Sequence, residues 1–284
     1  MKKGIQHILP GRRKQITPEE SVLQPLPHKD FRFANPIIVI HHIGPTRIES
    51  GGTSRIQPHP HRGFAPVTFL LQGEAYHRDS MGNEGLMKAG DVQWMFAGKG
   101  ILHSEGPSQE LLAKGGEYEL IQIWVNVPAR HKWDEPFYRQ AGREEMPLVS
   151  EESGVHLRLA SGAYEGLKGP LENFTPFVSI VGSVSKDSRY QFTAQAGYWT
   201  LLYVASGNLV VDQEVIGPQQ LVVFEKGNEE IQICATEDTQ LLYLSAEPIE
   251  EPIAAKDNFV MNTEAEVNQA MEDYKKGLFG ELVF

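Results

Sequence analysis

The feature that most narrows what this chain can fold into is its punctuation. Short apolar runs rich in Val, Ile, Phe, Tyr and Thr recur along it, separated by Gly, Pro, Asn and Asp. The clearest lie at 36–43, 66–76, 118–127, 177–183, 198–205, 219–225, 230–235 and 240–246. Short β-branched and aromatic stretches between turn residues specify strands, and many in succession specify a β sandwich or barrel rather than alternating βα units. The 27 glycines and 18 prolines suit a chain that turns often. With 284 residues, 40% apolar and 22% charged, the chain is long enough for one large core or two smaller ones. That composition excludes disorder, collagen and coiled coil as the whole fold.

One segment carries a helical period. Thr263-Glu264-Ala265-Glu266 reads as a capping box. Val267, Ala270, Met271 and Tyr274 then fall on one face, and Gly277 suits a left-handed stop. The helix, with the apolar tail 278–284, is expected to pack on a sheet.

The two halves echo one another. VTFLLQGEA followed by KAGDVQWMF has the same order of apolar runs and turn residues as LLYVASGNLVV followed by VIGPQQLVVF. Gly73 then aligns with Gly207, and Phe96 with Phe224. This predicts an internal duplication of one small barrel. The polar stretch 128–147 separates the copies, giving domains at 1–135 and 136–284, the helix belonging to the second.

Charge and cysteine content limit the function classes. A formal net charge of −11 argues against direct nucleic-acid binding, which needs a basic surface. A single cysteine, Cys234, permits neither an internal disulfide nor a thiolate cage; it reads as a structural thiol. The basic start MKK meets Gln6, His7 and Pro10 before any apolar segment forms, so no secretory leader is expected. No run approaches the roughly 18 apolar residues of a membrane span. A cytoplasmic protein without membrane association is expected.

The histidines are unevenly spread. His59-Pro60-His61 and His103-Ser104-Glu105 each hold two metal-capable side chains two residues apart. In an extended strand such residues point to one side, so each pair is a two-toothed clamp. A single His-x-His is more often a surface turn. Two clamps on neighbouring strands would instead converge three imidazoles and one carboxylate inside a barrel. Such donors suit Fe(II), Mn(II), Ni(II), Cu(II) or Zn(II), and the missing thiolates argue against a closed structural zinc site. Four protein ligands on a six-coordinate ion leave two positions open. His77 is a candidate for supporting the ligands or lining the pocket, Trp94, Met95 and Phe96 are pocket or core, and Ser104 has no triad partners.

At these residues the chain resembles the pirin family, two-barrel members of the cupin superfamily. The resemblance rests on PHPHRGF at 58–64, HRDSMGNEG at 77–85, GDVQWMFAGKGILHSEGP at 90–107 and FVMNTEAEV at 259–267. It runs from about Arg55 to the C-terminal helix. It implies an all-β fold of two tandem jelly-roll cupin barrels with a C-terminal α-helix. It also implies iron(II) in the first barrel, with Ni, Cu, Mn, Co or Zn as substitutes, on His59, His61, His103 and Glu105. Relatives commonly carry Glu where this chain has Ala65 and a smaller residue near Phe96, differences expected to reshape the pocket entrance. In the second barrel, counting from the aligned Gly and Phe maps the ligands to Thr193, Gln195, Ile231 and Ile233, which predicts no metal there. The resemblance implies a quercetin 2,3-dioxygenase acting on a flavonol-like substrate; Glu105, the one ligand of the four able also to exchange a proton, is the candidate catalytic base. The alternative it implies is a redox-responsive metal protein that binds a transcription factor or metabolic enzyme.

Overall fold

The computed structural model describes residues 4–16, 21–52, 56–150, 152–227 and 230–282. Its elements are those of an all-β chain with one long helix, Glu264–Lys275, and the short helix Gln109–Lys114. All eight apolar runs form strands. The run at 66–76 is two of them, Phe64–Gln72 and Glu74–Asp79, joined at Gly73, whose φ of 85° is open to glycine and strained for other residues. The first three residues of the basic start and the last two of the apolar tail lie outside the described residues. No helix among the described residues is long and apolar enough to cross a membrane.

The chain divides into two units, and these are not the contiguous halves 1–135 and 136–284. One unit comprises residues 1–42 and 143–248, the other 43–142 and 249–284. Short strands too polar to stand out in the sequence cause the difference. Ile5–Pro10 pairs with Gln220–Phe224, which commits the N-terminus to the later barrel. Phe137–Ala141 pairs with Val92–Phe96, which keeps the expected linker in the earlier one. The C-terminal segment, helix included, also belongs with the earlier barrel.

In the unit built on 43–142, one sheet runs Ile56–His61, Ile101–Pro107, Glu74–Asp79, Glu84–Lys88 in spatial order. A second contains Phe137–Ala141, Val92–Phe96, Phe64–Gln72 and Gly116–Asn126 as neighbours. The other unit has a six-stranded and a four-stranded sheet, and residues from both form one apolar core around Leu157, Phe192, Leu202, Ile233 and Tyr243. The duplication is visible in detail. Gly207 turns between Trp199–Ser206 and Leu209–Val211 with φ 78°, as Gly73 does, and Phe96 and Phe224 both end buried strands.

The helix has the expected capping box, Thr263 Oγ1 accepting from the Glu266 backbone N–H at 3.2 Å and the Glu266 carboxylate from that of Thr263 at 2.9 Å. Val267 and Ala270 are buried with Phe259, Met261 and Phe279. Tyr274 departs from the expected stripe: it is 41% exposed, touching Phe259 and Phe279 by its ring, while Asp273 turns inward. Asp273 does so because Arg62 is there. The Arg62 guanidinium donates to Asp273 Oδ2 at 2.8 Å and to the Lys99 carbonyl at 2.5 Å, and lies over the rings of Trp133 and Phe279. Nearby, Val260 donates its N–H to the Arg62 carbonyl, and a Cβ on Gly63 would sit 2.1 Å from the Val260 oxygen. Only glycine allows that approach. The buried Lys132 closes the join, donating to the Gly63 and Val260 carbonyls and to Asn126 Oδ1 at 2.6–2.8 Å.

Burial alone would raise the Asp273 pKa; hydrogen bonds from Arg62 and Gln269 outweigh it and hold the carboxyl below its ordinary value. A carboxylate depressed by folding stabilises above its unfolded pKa and loses that contribution as pH falls through the folded one. Asp273→Ala is expected to cost about 3 kcal/mol by stranding a buried guanidinium. Urea unfolding at pH 7 measures it, and the gap between wild type and variant should close in acid.

Candidate metal centre

Strand geometry assembles the centre. Ile56–His61 and Ile101–Pro107 are antiparallel neighbours, with His103 directly opposite His59 and Ile101 opposite His61. Side chains two apart share a face, so His59, His61, His103 and Glu105 all point one way. A register shift between His103 and Glu105 brings Glu105 opposite Ile56. On its other side Ile101–Pro107 meets Glu74–Asp79, placing His77 opposite Glu105 and Asp79 opposite His103.

His59, His61 and His103 are brought together, with one potential donor atom from each within 4.8 Å of the others. Glu105 is not in that cluster. Its Oε1 accepts from Gln122 Nε2 at 2.7 Å and its Oε2 from Gln93 Nε2 at 3.5 Å. Both amides also reach Thr68 Oγ1, and Trp124 Nε1 donates to Gln122 Oε1 at 3.3 Å. Tyr138 donates to Gln93 Oε1 at 3.1 Å and stacks on His77 at 4.5 Å. Gln93, Gln122, Thr68, Trp124 and Tyr138 were not picked out as parts of a site in the sequence. Buried glutamines in apolar strands were the available signal.

The imidazoles are prepared as donors. His59 Nδ1 faces the Gln57 carbonyl at 2.9 Å and His61 Nδ1 the Asn258 carbonyl at 3.4 Å, contacts that place a hydrogen on each Nδ1 and leave Nε2 as the lone-pair atom. His103 Nδ1 faces His77, and its Nε2 is buried with no hydrogen-bond partner. A buried, unsatisfied imidazole nitrogen is costly unless something occupies it, and a metal ion satisfies it. Burial, and then neighbouring imidazoles, lowers the pKa of His61 and His103 well below 6.5; burial also lowers that of His59, against the pull of Glu105. All three are neutral at physiological pH, the state that binds metal. Three imidazoles with a carboxylate beside them fit a first-row divalent ion. His59 is half-buried, while His61 and His103 are fully buried.

Ala65 and Phe96 are not at an entrance. Both are fully buried and lie on the opposite faces of their strands from Thr68 and Gln93, Phe96 packing against Phe137. In the other barrel the mapping onto Thr193 and Gln195 is displaced by one residue, because those two are exposed. Phe192 pairs with Ile231 as His59 pairs with His103. The equivalent inward positions are therefore Phe192, Ala194, Ile231 and Ile233, none of which has a metal donor. A one-residue slip in a strand exchanges its faces. His41 contacts Gln24 and His42 contacts Tyr203 Oη at 2.8 Å, both away from the cluster.

The Pirin family matches residues 17–125 and the Pirin C-terminal cupin domain residues 180–280. A Pseudomonas aeruginosa protein, provisionally named a quercetin 2,3-dioxygenase, is 33% identical over 247 residues, 86% of each chain. A crystal structure of a quercetin 2,3-dioxygenase from Acinetobacter baumannii superposes with a TM-score of 0.92 at 32% identity over the whole of both chains. A bacterial pirin from Escherichia coli, solved in complex with nickel(II), shares the fold with a TM-score of 0.68 at 20% identity, covering 86% of this chain and 99% of its own.

Titration of the metal-free protein with Ni(II) is expected to saturate near one equivalent per chain, and His103→Ala to abolish that uptake. Because the imidazole pKa values lie below 6.5, uptake should hold as pH falls from 8 through 6.5 and weaken only in stronger acid. Loss beginning above 6.5 would contradict the neutral-imidazole assignment.

Proposed function

The chain belongs to the pirin family, and from that premise we propose that it is a mononuclear metal dioxygenase that opens the heterocyclic ring of a flavonol such as quercetin. His59, His61 and His103 would hold the ion, with Glu105 as a fourth donor and iron(II) as the metal. The observation that carries the reading is the buried, unpartnered His103 Nε2 among neutral imidazoles, with a carboxylate two residues further on the same face. The match to the Acinetobacter baumannii quercetin 2,3-dioxygenase over the full chain supports the reaction class. When bound, the metal supplies a Lewis-acidic, redox-active centre at which substrate and dioxygen meet.

The protein's own groups account for binding and proton handling. Trp124 is half-buried, its ring 4.5 Å from that of Phe64 and 5.5 Å from that of His61. It offers an aromatic wall against which a flat polyphenol stacks. Glu105 accepts the proton of the flavonol hydroxyl. The Gln122 and Gln93 amides orient its carboxylate before substrate arrives, so little reorganisation remains for the proton transfer.

Iron-loaded protein given quercetin should consume dioxygen and release carbon monoxide. Glu105→Gln is expected to keep bound metal but to lower kcat by about 10²–10⁴, the usual range for a general base. An unchanged rate in that variant would remove the base role. No oxygen uptake by metal-loaded wild type across flavonols and catechols would overturn the dioxygenase reading.

A further inference from the structure

Behind His103 lies a buried pair that metal binding alone does not explain. His77 and Asp79 are 1% and 2% exposed, and His77 Nε2 is 3.2 Å from Asp79 Oδ2. Asp79 is ringed by donors: Oδ1 accepts from the Met81 and Asn83 backbone N–H groups at 2.9 and 3.1 Å, and Asn83 Nδ2 reaches both carboxylate oxygens. A carboxylate so placed only accepts, so the hydrogen between Asp79 and His77 sits on His77 Nε2. In neutral imidazole the other nitrogen is then an acceptor. His77 Nδ1 faces His103 Nδ1 at 3.5 Å, and with an acceptor on one side the hydrogen of this contact belongs to His103 Nδ1. His103 Nε2, the buried atom without a partner, is left with its lone pair exposed to the cluster.

We infer that Asp79 and His77 are positioning residues that set the tautomer of His103 and so prepare its Nε2 as a metal donor. The inference rests on the reading of His103 as a ligand. Metal-bound histidines ordinarily have their second nitrogen held by a carboxylate or carbonyl, as His59 and His61 do here through Gln57 and Asn258. His103 has another imidazole in that place, ambiguous until Asp79 fixes it. Tyr138, stacked on His77 with ring planes 14° apart, keeps that imidazole from tilting out of line.

Asp79→Asn reverses the order. The two backbone donors hold the new side chain's oxygen, so its amide N–H points at His77 Nε2 and turns it into an acceptor. His77 Nδ1 then carries the hydrogen, and that of His103 is displaced to Nε2, the metal-facing atom. In ¹⁵N NMR of the metal-free protein, wild type should show His77 protonated at Nε2 and His103 at Nδ1, and Asp79→Asn should show both exchanged. Ni(II) affinity, measured by chelator competition, should fall about 10–100-fold in Asp79→Asn, the usual effect of losing an outer-shell partner. His77→Gln, whose amide oxygen accepts from His103 Nδ1, should bind within a few-fold of wild type, whereas His77→Phe, which keeps the stacking but not the acceptor, should fall like Asp79→Asn. If Asp79→Asn does not fold, the wild-type tautomers and the two His77 variants decide. His103 protonated at Nε2 in wild type, or nickel affinity unchanged in Asp79→Asn or His77→Phe, would overturn the relay alone. Wild-type protein that shows the stated tautomers yet takes up no nickel would overturn the metal reading and the inference with it.

Discussion

The structure depends on one pairing: His103 sits directly across from His59 in an antiparallel ladder. From it the rest of the centre follows by the two-residue period of a strand. His61 lies two residues from His59, Glu105 two from His103, and the next strand adds His77 and Asp79 on the same face. Shifting either strand by one residue would turn the donors outward. The register therefore decides whether a site exists, and much of the surrounding structure fixes that register.

The C-terminal return segment does most of the fixing. Arg62 and Gly63 follow the first clamp, and both are tied to residues some 200 positions later, through Asp273 and Val260. Asn258 supplies the carbonyl that orients His61, and Lys132 joins Gly63 to Val260 with its buried ammonium. Burial pulls that lysine's pKa down to about 7, while three oxygen acceptors match the three hydrogens of its charged form. These contacts explain why residues 249–284 belong with the earlier barrel rather than the later one. A helix that the sequence marks as a simple apolar cover also anchors the clamp.

The clamps were legible in the sequence because their geometry is local. Two donors at spacing two need only a strand to converge, and the turn residues around them announced strands. The duplication was legible for the same reason: Gly73 and Gly207 are each required by a positive-φ turn. What was not legible depends on partners distant in the chain. Gln93 and Gln122 meet at Glu105 only because their strands flank Phe64–Gln72, and beyond being glutamines in apolar strands nothing in their own neighbourhoods marks them. The domain division failed on Ile5–Pro10 and Phe137–Ala141, whose mixed polarity hides their pairing. The displaced mapping onto Thr193 and Gln195 shows how little tolerance a period of two allows: one residue separates an exposed threonine from the buried Phe192.

The two barrels put the same scaffold to different ends. Where one has three imidazoles and a carboxylate, the other has Phe192, Ala194, Ile231 and Ile233 in its core. The claim that a metal ion belongs in the first is tested most directly by anomalous scattering from crystals of the Ni(II)-loaded protein, recorded at the nickel edge. One strong anomalous peak per chain is expected, within bonding distance of His59, His61 and His103 Nε2. A crystal whose only anomalous peaks lie elsewhere, with those three side chains unengaged, would contradict it.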